Sequence, residues 1–550
     1  MTMTRTVVWM LIMVLGVATS VASAQHGDHE TLRGLPLEQL GEVSFPVTCS
    51  PAAQNEFNRA LALFHSFWFD PAKESFAKVL ERDPECGMAD WGIAIASMGN
   101  PFAWPPNPSA MKAGAAAIGE AQRVGVKSER ERGYIAALAA FFKDWETRDY
   151  RTRILAFEKA LEGLVVKYPT DDEAKIFYAL ALNVTALPTD KTFANQLKAG
   201  AILEPLFKKY PHHPGVAHYL IHTYDYAELA ERGLPAARAY ARIAPAAPHA
   251  LHMPSHIFSR LGLWPEMVES NRVSYLAAKS ELQETTLGIG TYDALHAMDY
   301  LVFAHLQQAQ DRAAKQSLDE VAAIRKVNVE NAVAAYAFAS IPARFALERG
   351  DWKQAAALKL SPADLAWGKF PQAEAILVFA RGLGAARIGD VVAARRDADR
   401  LLALKEAMTA AKMDYWAGQT DFQIKTVNAW IALAEKRPEE AVQLMRAAAD
   451  AEDASDKHPI TPGNVAPSRE LLGEMLMTLN FPAQAFAEFE RSLKRDPNRF
   501  RGIYGAARAA ETLGNRKVTG DYYARLQTLT VNRDTERPEL AQAKAFLKRR

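Results

Sequence analysis

Apolar residues recur at helical spacing along most of this chain of 550 residues. Alanine-rich stretches place apolar side chains at positions i, i+3, i+4 and i+7, whereas the alternating pattern typical of strands is scarce. Glycine and proline interrupt these stretches at short intervals. The pattern predicts an all-α protein of many short helices that approach one another closely through small residues.

Several of these segments share one signature, in which a small residue is followed four positions later by an aromatic residue or leucine, and eight positions after that by proline. The clearest copy is Ala485, Phe489 and Pro497. This signature belongs to the tetratricopeptide repeat, a helix–turn–helix unit of 34 residues that stacks into a superhelix. The sequence therefore predicts a right-handed α-solenoid of tetratricopeptide-type helix pairs. The same spacing recurs at Ala72, Phe76 and Pro84 and at Ala199, Leu203 and Pro211, and weaker copies lie around Gly262, Gly350, Gly389 and Pro438.

The first 24 residues read as a signal peptide. Arg5 precedes an apolar run at residues 7–18, and Ala22, Ser23 and Ala24 match a cleavage site. The run is too short to span a bilayer comfortably, and no later stretch is long and apolar enough to do so. The sequence therefore predicts an exported protein, periplasmic or secreted, with no membrane insertion after the leader is removed.

The remainder divides into four predicted parts. Residues 25–50 form an irregular N-terminal arm, 51–320 an N-terminal repeat array with a histidine-lined groove, 321–530 a C-terminal array, and 531–550 a C-terminal helix or tail. Two stretches, 100–108 and 285–290, are rich in proline or glycine and interrupt the helical pattern. Either is a candidate to fold over the groove.

Charge and cysteine content narrow the possible partners. Without the leader, 64 basic residues balance 64 acidic ones and no long basic run remains, which argues against nucleic acid and anionic membranes as partners. The two cysteines, Cys49 and Cys86, both lie in the exported portion, where a disulfide is the expected state. Closing that loop would stabilise the fold by roughly 3–4 kcal/mol.

Four histidines repeat with the period of the tetratricopeptide unit. His218 and His222 are four residues apart, as are His252 and His256, and the second pair follows the first by 34 residues. A spacing of four puts each pair on one face of a helix. The period puts both pairs at equivalent places in neighbouring repeats, where the imidazoles could converge.

The fragments CGMADWGIAIA, HYLIHTYD, HMPSHIFSRLGLW and HAMDYLVFAHLQ resemble those of exported bacterial tetratricopeptide-repeat proteins, most of them uncharacterised. The resemblance covers most of residues 45–320 and implies an α-solenoid and export. In such domains, positions five and nine of the first helix of a repeat face the concave ligand-binding surface. Both histidine pairs occupy those positions, so the resemblance implies a groove that binds a peptide, a protein or a small ligand.

The histidines carry the candidate chemistry. Zinc, copper and iron favour imidazole ligands, and two neighbouring i, i+4 pairs can present four nitrogens to one ion. Asp225, one turn beyond His222, is a candidate ligand or orienting group, and His296 could complete the wall of the groove. The candidate ligand groove comprises His218, His222, Asp225, His252, His256 and His296, and its candidate metal ligands are His218, His222, His252 and His256.

Three interpretations of these histidines stay open: a metal site, a polar groove without metal, or packing residues inherited through repeat duplication. Pro254 adds an alternative for the second pair, because proline disrupts a helix interior. If a helix begins at Pro254, His252 belongs to the entering loop and the i, i+4 geometry of that pair is lost.

Two functions compete on these grounds. The first is an exported scaffold that binds a peptide, protein or small ligand through its concave groove, which agrees with the missing G-x-S-x-G, H-E-x-x-H, phosphate-loop and C-x-x-C motifs. The alternative is a metal-dependent enzyme, hydrolytic or oxidative, that uses a site at His218, His222, His252 and His256. The cofactor of that enzyme would be a zinc, copper or iron ion.

Overall fold

The computed structural model describes residues 39–102, 107–280 and 289–549. The predicted signal peptide and the first part of the predicted arm lie outside the described residues. The described chain is helical almost throughout, and successive helices pack against one another as antiparallel neighbours along the sequence. The predicted all-α solenoid of helix pairs is therefore confirmed.

The helices of the N-terminal half are short, most of them three to four turns long. They are α1 (Pro51–His65), α2 (Phe69–Arg82), α3 (Gly87–Ser97), α4 (Pro108–Val124), α5 (Glu129–Phe142), α6 (Tyr150–Lys167), α7 (Asp172–Thr185), α8 (Ala194–Lys209), α9 (Pro214–Tyr224), α10 (Ala230–Ile243), α11 (Pro248–His252), α12 (Pro254–Leu261) and α13 (Trp264–Ser280).

The C-terminal half continues the same arrangement. Its helices are α14 (Tyr292–Gln307), α15 (Asp311–Ala323), α16 (Ala332–Leu347), α17 (Trp352–Ala356), α18 (Pro371–Arg387), α19 (Val391–Ala410), α20 (Asp414–Ala434), α21 (Pro438–Asp453), α22 (Ser468–Thr478), α23 (Pro482–Arg495), α24 (Phe500–Thr512), α25 (Arg516–Leu529) and α26 (Pro538–Lys548). Two short strands, β1 (Ile289–Gly290) and β2 (Lys326–Val327), pair in parallel on either side of α14 and α15 in sequence.

Repeat packing follows the signature residues. The ring of Phe489 on α23 lies between Gly473 on α22 and Gly505 on α24, and a Cβ at Gly473 would come within 2.7 Å of that ring. The aromatic side chain thus fills the space that two glycines leave open between adjacent repeats. The turns anticipated at Gly262, Gly350 and Gly389 are also confirmed, since each of these glycines has a positive φ between two helices.

Two hydrophobic cores run along the solenoid, and α14 belongs to both. Tyr300 and Phe303 on α14 join the core that begins at Leu40, whereas Leu295 and Val302 join the core that extends to the C-terminal helices. Helix α14 therefore couples the two halves mechanically through opposite faces. None of the helices in the described part of the chain combines the length and apolar character that crossing a bilayer requires.

The N-terminal segment is fastened to the first helix pairs. Residues 41–50 are irregular, yet Phe45 is fully buried against Phe57 and Tyr134. Cys49 and Cys86 form the predicted disulfide, with Cα atoms 5.1 Å apart. The segment that precedes α1 is thus packed into the core as well as covalently linked to the N-terminus of α3.

Candidate metal centre

Six histidines come together as two adjacent triads. The first triad is His218 and His222 of α9 with His249 of α11, and the second is His252 of α11 and His256 of α12 with His296 of α14. Within each triad, one ligand atom from each residue lies within 4.8 Å of the other two. The rings of His222 and His256 are 6.0 Å apart, so the triads are direct neighbours.

The proton positions in the first triad follow from the partners of His218. Its Nδ1 lies 2.7 Å from the carbonyl oxygen of His65, which can only accept, so Nδ1 carries the hydrogen and Nε2 carries the lone pair. That Nε2 lies 3.1 Å from Nε2 of His222 and 3.2 Å from Nε2 of His249. One in-plane lone pair cannot accept well from two N–H donors at once, whereas a metal ion can bind all three nitrogens.

The second triad poses a sharper conflict between neutral rings. Asn271 donates its Nδ2 hydrogen to the carbonyl of Met267, which leaves its Oδ1 to accept from Nδ1 of His252 at 2.6 Å. Nδ1 of His256 donates to the carboxylate of Asp225 at 3.0 Å. Both Nε2 atoms therefore carry lone pairs, and these two atoms face each other at 3.1 Å. A shared cation is needed to make this contact favourable.

A proton is a poor candidate for that cation. Burial lowers the pKa of His218, His222, His249, His252 and His296 well below the ordinary value, and it also lowers the pKa of His256. Neighbouring histidines lower the pKa of each of the first five further, because a second positive charge would be close by. Six neutral imidazoles, with nitrogen lone pairs free to bind, are therefore the expected state at neutral pH.

The nitrogen separations suit metal coordination. For metal–nitrogen bonds of about 2.0–2.1 Å, ligand atoms 3.1–3.2 Å apart subtend an angle of about 100° at the ion. That angle is between the square and tetrahedral values. Three nitrogens arranged in this way leave a fourth position open on each ion, the pattern typical of catalytic rather than structural zinc sites.

Pro254 does not separate His252 from His256, contrary to the alternative raised by the sequence. Helix α12 does begin at Pro254, but α11 ends at His252 and Met253 between them keeps helical dihedrals of −54° and −35°. The chain therefore continues in the same direction even though the hydrogen-bond ladder is interrupted, with His256 N–H reaching only Met253 O. The second pair is as close as the first.

Asp225 orients the second triad from behind. Besides His256, its carboxylate accepts from Arg260 Nε at 2.9 Å and lies 2.9 Å from Lys457 Nζ, and all four side chains are buried. Burial alone would raise the pKa of Asp225, but Lys457 and Arg260 outweigh burial and hold that pKa well below its usual range. A permanently charged carboxylate fixes the tautomer of His256 and strengthens its lone pair.

Lys457 comes from the segment that connects α21 to α22, residues 454–467, which we call the connecting segment. This segment contacts both halves of the solenoid: Asp456 pairs with Lys191 at 2.6 Å, and Tyr300 donates to the carbonyl of Pro459. Arg344, fully buried, donates to the hydroxyl of Thr461. The connecting segment therefore seals one side of the candidate metal centre.

Aromatic rings cover the first triad. Phe67 lies edge-on to His218 with ring centroids 4.3 Å apart, and Phe102 stacks on His222 at the same distance. Phe67 has a φ of 55° at the C-terminus of α1, a position where glycine is preferred, so the strained backbone is held there by the surrounding contacts. Phe102 belongs to the stretch at 100–108 that the sequence nominated as a cover for the groove. Only His249 and His296 are partly exposed.

A third cluster, His65, Glu173 and His213, fails the same test. Nδ1 of His213 accepts the N–H of Val216 at the start of α9, so the hydrogen is on Nε2, which donates to Glu173 at 2.7 Å. That nitrogen has no lone pair for a metal. Burial alone would raise the pKa of Glu173, but His213 and His65 hold it well below its usual range. This cluster is a buried ion pair that supports the first triad through the carbonyl of His65.

All six candidate groove residues from the sequence lie in this region, and they are buried beneath other side chains rather than exposed along an open trough. Sequence reasoning missed two contributors, His249 and Lys457. A signal for His249 was present, since it precedes His252 by three residues and shares its helical face. Lys457 gave no such signal, because it is 232 residues from the carboxylate that it contacts.

Comparison with known proteins identifies no family. No protein-family model and no curated protein matches the chain. Among solved structures, the chain is similar to a human IFIT1 dimer with PPP-AAAA (12% identity, TM-score 0.35, covering 76% of this chain and 87% of that one). It is also similar to the APC/C hetero-tetramer Cut9–Hcn1 (12% identity, TM-score 0.31, covering 90% of each chain). These scores are too low to carry any conclusion about function.

Proposed function

We propose that this solenoid is a scaffold for a pair of transition-metal ions, one held by each histidine triad, and that the open coordination positions serve a metal-dependent reaction. The observation that carries the proposal is the 3.1 Å contact between Nε2 of His252 and Nε2 of His256, whose Nδ1 atoms are both committed as donors. Two facing lone pairs in a buried site are unfavourable unless a cation lies between them.

Zinc, copper and iron are the candidate metals, since neutral imidazole suits each of them. The reaction is hydrolytic with zinc, which would activate a bound water, or oxidative with copper or iron. The burial of the histidines favours this function over recognition of an extended peptide, because Phe67, Phe102 and the connecting segment already contact the surfaces that a peptide would need. The accessible edge is at His249 and His296.

The direct experiment is elemental analysis of protein produced with its natural leader and without a polyhistidine tag. We expect two ions per chain, as purified or after reconstitution with zinc, copper or iron. His249→Ala and His296→Ala should each reduce the stoichiometry to one, whereas His305→Ala is the matched control, because His305 bonds only to Gln310 on its own turn. Less than a tenth of an equivalent of every metal in the wild type after reconstitution would refute the proposal.

The third cluster supplies an internal control. His213→Asn keeps an acceptor for the N–H of Val216 but removes the ion pair with Glu173. We expect this variant to be less stable than the wild type and still to bind two ions. A wild type with three ions and a variant with two would show that the assignment of hydrogens from hydrogen-bond partners is wrong.

A further inference from the structure

The charges around the two triads are unbalanced even before any ion binds. The six ligands are neutral imidazoles, and neither triad includes a carboxylate among the residues that the structure describes. The single carboxylate behind the second triad, Asp225, is shared by two buried cations, Arg260 and Lys457, which leaves one positive charge in excess. Two divalent ions would add four more positive charges to a buried site.

Such an excess is costly in a region of low dielectric constant. Phe67 and Phe102 cover the first triad, and Tyr300 lies against the rings of the second, so little water surrounds the ions. Coulomb interactions are several-fold stronger there than in water. Either the ions bind weakly or a negatively charged group joins them.

The coordination geometry provides the place for that group. With nitrogen–metal–nitrogen angles of about 100°, each ion lies outside the plane of its three ligands and keeps a vacant position on its far side. The two triads are adjacent: His222 and His256 have ring centroids 6.0 Å apart, and His249 and His252 have centroids 6.1 Å apart. One small ligand can therefore contact both ions.

From these observations we propose that the two triads together form a binding site for one small anion, which coordinates both metal ions as a shared ligand. This inference rests on the proposed function. It names the class of ligand or substrate: a small anion, or a group that becomes anionic when it binds. The excess charge of Arg260 and Lys457 over Asp225 supplies attraction, and the partly exposed edge at His249 and His296 supplies the route of entry.

The test uses the full-length protein loaded with cupric ions and titrated with sodium azide, which is small, anionic and able to bridge two metals. Absorption of the metal–azide complex should saturate at one azide per two copper ions. The one-ion variant His296→Ala should bind azide at least tenfold more weakly. Lys457→Met should also weaken azide binding, by roughly tenfold, because one nearby positive charge is lost, whereas Lys457→Arg should restore it.

The possible failures are distinguishable. Two azides per pair of ions, or equal affinity in the one-ion variant, would overturn the shared ligand while leaving the metal pair intact. No spectral change at any azide concentration would show that protein groups fill the fourth positions, which also overturns the inference. A wild-type protein that never takes up two ions would overturn the proposed function itself and this inference with it.

Discussion

Replacing Asp225 with asparagine should expose how much the solenoid depends on the charge behind its histidines. In the wild type this carboxylate contacts Arg260 at 2.9 Å, Lys457 at 2.9 Å and His256 at 3.0 Å, and it is only 5% exposed. The amide would leave two buried cations without a counter-charge. Breaking a buried ion pair by removing one partner costs about 3–5 kcal/mol, so Asp225→Asn should lower the free energy of unfolding by about that amount.

The measurement is urea-induced unfolding of metal-free protein, followed by helical circular dichroism. Asp456→Asn is the matched control, since Asp456 lies in the connecting segment beside Lys457 but pairs with Lys191, whose side chain is 41% exposed. That exposed pair should contribute at most about 1 kcal/mol. Metal titration should show a further effect of Asp225→Asn, a loss of about 10–100-fold in affinity, because His256 is no longer held by a carboxylate.

A second substitution checks the cause. In Asp225→Asn combined with Lys457→Met, one stranded cation is gone, so the double variant should recover more than about 1 kcal/mol relative to Asp225→Asn alone. A single variant that loses less than about 1 kcal/mol, or a double variant with no recovery, would refute the view that the carboxylate is held in place by opposing charges.

Two further predictions concern the scaffold. Replacing both Cys49 and Cys86 with serine should cost roughly 3–4 kcal/mol of unfolding free energy, since the disulfide closes a loop of 37 residues; urea unfolding with and without reductant measures this, and an unchanged midpoint on reduction of the wild type would contradict it. Gly505→Ala should destabilise by about 1–3 kcal/mol, because its Cβ would overlap the ring of Phe489. Gly119→Ala is its control on an open helix face and should stabilise by about 0.5–1 kcal/mol; equal effects from the two alanines would show that ring packing is not the cause.

The helix pairs were predictable from sequence because their determinants are local. The signature around Phe489 and the glycine turns act within one repeat or between adjacent repeats, so spacing along the chain is enough to identify them. The pairing of His218 with His222 is local in the same sense. Contacts that close over the triads are different: Phe67 reaches His218 and Lys457 reaches Asp225 from distant segments, and no local pattern encodes those encounters.

The repeat period also misled in one respect. Offsets of 34 residues predict convergence only for residues that have a counterpart in the neighbouring repeat, and the position equivalent to His249 is Gly215. That glycine has a different role, because a Cβ there would collide with the ring of His65. The third ligand of each triad therefore could not emerge from periodicity. His296 was nominated by its position at the start of the next helix pair rather than by an offset of 34.

Duplication of a repeat can explain why histidines stand at equivalent positions, but it does not explain their protonation. His218 and His252 occupy the same place in successive repeats, yet the acceptor that fixes Nδ1 is a backbone carbonyl on α1 for the first and the side chain of Asn271 on α13 for the second. Different groups, from different helices, thus impose the same tautomer and turn both Nε2 atoms inward. Packing histidines inherited through duplication would need no such agreement, whereas ligands of a metal ion would require it.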